Sequence, residues 1–135
     1  EFFHFAPNDA IYAVDGPRVY RSTDRGTSWQ RLRPITPSHP PEQHHAPQTR
    51  TITSLATPTD GGLFAGTRRG GVYRWNQRSQ TWRPILSGLP TGKIEALTVT
   101  PYGHILAATP HGVFRTTVQA RRLGQAKTRR SQTEQ

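Results

Sequence analysis

The sequence contains no cysteine. That excludes a disulfide framework and any cysteine-ligated zinc site, and leaves the compartment open. Long apolar runs are also missing, and nothing approaches the roughly 20 residues of a membrane-spanning helix. The chain opens on Glu1 with no signal-peptide pattern, so processing or truncation of a longer chain is expected at this end. Acids are scarce, 8 against 18 Lys and Arg, for a formal net charge of +10. Hydrophobic residues make up only 32% of the 135 positions. The length suits one ordinary domain, but the composition is poor for a compact core. A thin core with long polar connections is expected.

The positive charge has two readings. It suits nucleic acid or an acidic surface, or it is a solvated basic face plus a basic tail. The tail holds Arg121, Arg122, Lys127, Arg129 and Arg130 against one acid, Glu134. The remaining arginines are scattered among strands and turns, with no nucleic-acid motif beside them. Nucleic acid is therefore not an expected partner, and neither is a membrane.

What is present is a repeat. Ala10-Ile11-Tyr12-Ala13-Val14, a turn and Val19-Tyr20-Arg21-Ser22 form the first copy. Gly62-Leu63-Phe64-Ala65-Gly66-Thr67, a turn and Gly71-Val72-Tyr73-Arg74-Trp75 form the second. His104-Ile105-Leu106-Ala107-Ala108-Thr109, a turn and Gly112-Val113-Phe114-Arg115-Thr116 form the third. Each apolar cluster is short, β-branched or aromatic, and bounded by Gly, Pro or Asp, which is the signature of strands. The near-continuous apolar character suits strands buried on both faces between stacked sheets. A preceding strand is expected at residues 52–57 and 94–100, with 2–6 as the counterpart in the first copy. A following strand is expected at 29–32 and 81–85. The unit is then four short antiparallel strands. The interval from Val72 to Val113 is close to the roughly 40–45 residues of a propeller blade. The interval from Val19 to Val72 is longer because residues 34–50, rich in Pro, His and Gln, read as a polar loop. Residues 118–135 read as a basic, disordered or weakly helical tail.

The first copy ends in Ser22-Thr23-Asp24-Arg25-Gly26-Thr27-Ser28-Trp29. A chain reversal needs these residue types. Asp24 can accept hydrogen bonds from nearby backbone N–H groups. Gly26 supplies a positive φ, and Trp29 can cover the turn. The segment resembles the Asp-box, or BNR repeat, Ser-x-Asp-x-Gly-x-Ser/Thr-Trp. The second copy carries a degenerate version, Trp75-Asn76-Gln77-Arg78-Ser79-Gln80-Thr81-Trp82, in which Thr81 and Trp82 fit, Gln77 replaces the Asp, Ser79 replaces the Gly, and Asn76 can take over part of the capping. The third copy keeps only Arg115-Thr116-Thr117. The resemblance, over residues 2–117, implies the β-propeller of sialidase-like, photosystem-assembly-factor-like and sortilin-like proteins. There the boxes lie on the outer ends of blades, so the implied role of Ser22, Asp24, Gly26 and Trp29 is structural.

The expected fold is all-β: a partial β-propeller of about three four-stranded antiparallel blades (residues 1–33, 51–86 and 93–117) with a flexible tail. Closed rings have about four to eight blades. Three blades imply further blades in a longer chain or assembly of further copies.

Catalytic sets are harder to find. A sialidase uses an arginine triad, a Tyr–Glu pair, an acid Asp and a Phe/Tyr-Arg-Ile-Pro motif. Leu32-Arg33-Pro34-Ile35 and Trp82-Arg83-Pro84-Ile85 have the order Arg-Pro-Ile and read as fourth strands. Glycosidases need two carboxylates flanking the bond. Asp24 and Asp60 fall in turns and Glu42 in the polar loop. Asp15, near a blade edge, and Glu95, on a first strand, are the acids to watch, each with the alternative of an ordinary surface acid. Arg21, Arg74 and Arg115 occupy equivalent positions, either as strand-end residues packing their stems or as a ring of donors for an anion. His39, His44 and His45 with Glu42 carry no fixed ligand spacing, so no metal site and no cofactor are expected. Thr67-Arg68-Arg69-Gly70-Gly71 joins two strands and reads as a hairpin turn, not a phosphate loop. The expected function is a non-catalytic scaffold or binding module for a protein or carbohydrate. Alternatives are part of a propeller glycoside hydrolase with its catalytic residues elsewhere, or a sensor or assembly-factor propeller. The family resemblance alone favours an extracytoplasmic location.

Overall fold

The computed structural model describes residues 1–36, 49–59, 61–69, 71–85 and 92–117. Among them there are only strands and connections, arranged as three antiparallel sheets. The first sheet has the order β1-β2-β3-β4, with β1 Phe2–Phe5, β2 Ile11–Asp15, β3 Arg18–Ser22 and β4 Gln30–Arg31. The second has the order β5-β6-β7-β8, with β5 Ile52–Ala56, β6 Phe64–Thr67, β7 Val72–Asn76 and β8 Thr81–Ile85. The third is three-stranded, β9 Ala96–Val99, β10 His104–Thr109 and β11 Gly112–Thr117, with β10 in the middle.

The registers are equivalent. Ala13 pairs with Tyr20, Ala65 with Tyr73, and Ala107 with Phe114. One position further along, Val14 pairs with Val19, Gly66 with Val72, and Ala108 with Val113. The same unit is therefore built three times. Side chains alternate across a strand, so each unit has two apolar faces. One carries the Val and Arg of the Val-aromatic-Arg triplet, and the other carries the aromatic residue.

Those faces stack. Tyr12, Val14 and Val19 of the first sheet form one core with Leu55, Leu63, Ala65, Tyr73 and Trp75 of the second. Ala56, Phe64 and Val72, on the other side of the second sheet, form another core with Leu97, Ile105 and Ala107 of the third. The second sheet is thus covered on both sides, and Phe64 is wholly buried. A buried side chain of that size contributes about 1.5–3 kcal/mol. At the second junction the backbones come close. A Cβ added to Gly66 would lie 2.5 Å from Ile94 Cγ2 and 2.7 Å from Ser54 Oγ. Only glycine fits there.

Some boundaries differ from the sequence expectation. The fourth strand of the first sheet covers only Gln30–Arg31. Leu32 to Ile35 lies beyond it, although Leu32 N still donates to Val19 O. Ile35, placed by the sequence in a polar loop, is completely buried in the first core, and Arg50 N donates to its carbonyl. Both ends of the loop are thus fastened to the core. The first strand of the third sheet starts at Ala96, leaving Ile94 as a buried anchor ahead of it. The His-bearing part of the loop, Asp60 and the tail lie outside the described residues.

Candidate functional site

The turn at residues 22–29 joins β3 to β4 and is tied by side chains. Asp24 Oδ1 accepts from Ser28 N at 2.9 Å and from Ser22 Oγ at 2.9 Å. Asp24 Oδ2 accepts from Ser28 Oγ at 2.5 Å. Ser22, itself buried, also accepts from Gly26 N at 2.8 Å. Gly26 has φ +88°, and Trp29 Nε1 donates to Gly26 O at 3.0 Å. The hydrogen bonds from the Ser28 hydroxyl, the Ser28 backbone and Ser22 lower the Asp24 pKa to about 2. A carboxylate tuned this way stays ionised. A general acid at neutral pH needs the opposite shift.

The second turn, at residues 75–82, reaches the same end by other means. Asn76 Oδ1 accepts from Arg78 N at 2.9 Å and Ser79 N at 3.0 Å. Ser79 Oγ and Thr81 Oγ1 are 2.6 Å apart. The positive φ moves to Gln80, at 60°. Gln77, standing where the first turn has Asp24, points elsewhere: its Oε1 accepts from Trp75 Nε1 at 2.9 Å and from Arg21 Nη1 at 3.3 Å. Trp82 packs edge to face on Trp75 and donates through Nε1 to Arg33 O at 2.7 Å.

The hydrogen bond between Arg21 and Gln77 crosses an open groove between the first two sheets. The groove holds about 280 Å³ and is bordered by Tyr12, Arg21, Leu63, Trp75, Asn76 and Gln77, among others. Arg21 Nη2 donates to Gln30 Oε1 at 3.1 Å, which fixes the guanidinium at the rim. Among the described residues bordering it there is no carboxylate. Two arginines, Arg21 and Arg74, and the amides of Asn76 and Gln77, set over the buried rings of Tyr12 and Trp75, suit hydrogen bonding to a ligand.

Of the other residues singled out in the sequence, Arg74 also borders this groove, while Arg115, Asp15 and Glu95 lie elsewhere. By strand alternation Arg74 shares the face of Val72, and its Nε is buried without a hydrogen-bond partner. Arg115 is exposed on the outward side of the third sheet. Two of the three equivalent arginines, Arg21 and Arg74, thus border one groove. Asp15 is exposed at the end of β2 and pairs with Arg18 at 3.6 Å. Glu95, expected on a first strand, precedes β9 with an exposed side chain, and its N–H donates to Ala108 O. Thr67 N and Oγ1 both donate to Gly71 O, closing the hairpin that carries Arg68 and Arg69. Among the described residues no cluster of His, Asp or Glu has the arrangement of a metal site.

No family model matches the chain, and no curated protein matches it. Solved structures do. One is an extracellular domain described as that of a one-component system from B. thetaiotaomicron, with a TM-score of 0.61 at 15% identity. The alignment covers 83% of this chain and 15% of that one. The likeness is one of fold, and this chain spans a small part of the length of its neighbour. Among the described residues no helix is long and apolar enough to cross a membrane.

Proposed function

We propose that the three sheets are blades of an Asp-box β-propeller, and that the chain is a non-catalytic binding module working outside the cytoplasm. The blade assignment is supported by three equivalent registers, face-to-face stacking and the bonded Ser22, Asp24, Gly26 and Trp29 turn. The extracytoplasmic assignment takes its support from the neighbour described as an extracellular domain.

The observation that carries the binding role is the groove spanned by Arg21 and Gln77. Its lining offers the guanidinium groups of Arg21 and Arg74 and the amides of Asn76 and Gln77, on a floor that includes the buried rings of Tyr12 and Trp75. That chemistry fits a carbohydrate or an extended peptide. It holds no pair of carboxylates among its described residues, and the most strongly shifted acid, Asp24, is held ionised in a turn.

The test is ligand-observed NMR on panels of neutral and acidic oligosaccharides and of peptides, run in parallel with a fluorogenic sialoside assay. Saturation transfer that disappears in Arg21→Ala and Gln77→Ala, with no turnover, is expected. Turnover of the sialoside by this chain, or transfer unaffected by both substitutions, would overturn the reading.

A further inference from the structure

The unit is directional, and among the described residues nothing stacks on either of its ends. At both junctions the Val-Arg face of one sheet looks toward the following sheet and the aromatic face of the next looks back. Position by position, the outer faces match faces that are buried inside. On the Val face, Val19 and Val72 are each 1% exposed, but the equivalent Val113 is 71% exposed. Tyr12 and Phe64 on that face are buried, while the equivalent Leu106 is only half-buried. On the aromatic face, Leu55 and Leu97 are buried at 4% and 8%, and the equivalent Phe3 is 66% exposed. Phe5, which stands where the third sheet has the packed Val99, is 71% exposed. Tyr73 is buried, and the equivalent Tyr20 is half-buried.

The third sheet therefore presents the same half-interface that the first and second sheets use, and the first sheet presents its complement. These are two halves of a contact that the chain already makes twice. Large exposed apolar faces of this kind mark association surfaces. Because the halves differ, the contact is head-to-tail, which gives rings when the rotation closes and filaments when it does not.

We propose that the open face of the third sheet, centred on Val113, docks on the open face of the first sheet, centred on Phe3 and Phe5, of a second copy of this chain. Two copies joined reciprocally make a closed ring of six sheets, within the four to eight that propeller rings use. Ring closure rests on the blade assignment above. The docking itself rests only on the equivalence of the faces, and it is independent of what the groove binds.

The test is light scattering after size exclusion, on the wild type and on two single-face variants. The wild type is expected at twice the 15.1 kDa chain mass. Phe3→Lys/Phe5→Lys and Val113→Lys alter exposed side chains, so each is expected to stay folded by circular dichroism and to run as a monomer. Mixed together, they retain one intact face each. A dimer is expected to return, at higher concentration because one contact closes instead of two. A wild type that stays monomeric throughout a dilution series would overturn the proposal. So would a Val113→Lys variant that still dimerises, which means like faces pair, or a mixture that stays monomeric. A monomer that still binds groove ligands would refute the docking while leaving the binding role intact.

Discussion

Trp75 and Trp82 meet edge to face across β7 and β8, with ring centroids 5.2 Å apart and planes at 66°. Each indole N–H is also engaged, Trp75 on Gln77 and Trp82 on the carbonyl of Arg33, just past the end of the first sheet. The pair therefore links the second sheet's turn to the exit of the first sheet. Trp82→Phe keeps an aromatic ring but loses that link, and is predicted to cost about 1 kcal/mol. Trp82→Ala removes the ring as well and should cost more. Chemical denaturation with near-ultraviolet circular dichroism checks both, and unchanged stability in Trp82→Ala would count against the packing.

Gly66→Ala is predicted to be among the most damaging small substitutions. The added methyl would meet Ile94 and Ser54 at less than 3 Å. Overpacking of this kind costs about 1–3 kcal/mol. Ile94→Ala made on the Gly66→Ala background opens space, so the double variant should lose less than the sum of the single losses. A double-mutant cycle by urea unfolding reads this coupling, and strict additivity would contradict the close approach.

Asp24 links stability to pH. Its folded pKa is about 2, below the ordinary value of 3.8, chiefly through the Ser28 and Ser22 hydrogen bonds. A depressed carboxylate stabilises the fold above its unfolded pKa, and that contribution is lost as pH falls through the folded value. Asp24→Asn should therefore lower the thermal midpoint at pH 7 and flatten the acid limb between about pH 4 and pH 2. Melts across that range check it. An acid limb identical to the wild type would sink the assignment.

His4 acts in the same direction by another cause. Its Nε2 lies 2.8 Å from Thr57 Oγ1, beside the ring of Tyr12, and burial lowers its pKa from 6.5. The unfolded chain then takes up this proton more readily than the fold, so stability falls as pH drops below the unfolded value. His4→Gln is predicted to reduce the loss of stability between about pH 7 and pH 5. Parallel urea titrations at the two pH values measure it.

Much of this architecture is legible in the sequence, because apolar residues at a period of two betray strands and the repeated triplet betrays their equivalence. The faces are legible too, once Val and Arg are seen to share a parity. Ile35 is less visible: it is an isolated isoleucine outside a strand, and only the stacking of sheets supplies its burial. Ile94 reads as the start of a strand, but it precedes β9 and is buried by the approach of the second sheet. Gln77 misleads for a related reason. As a replacement for the turn aspartate it looks like decay, yet it bonds to Arg21 and Trp75 at the groove. Such partners are 56 and 2 positions apart, so only one of the two contacts is local.

The central claim is that successive sheets stack with the Val face of one on the aromatic face of the next. Nuclear Overhauser spectroscopy on the isotope-labelled chain tests it directly. The account predicts cross-peaks from the Ile94 methyls to the Gly66 α protons, and from the Trp82 indole proton to Arg33. Absence of both from a well-dispersed spectrum would contradict it.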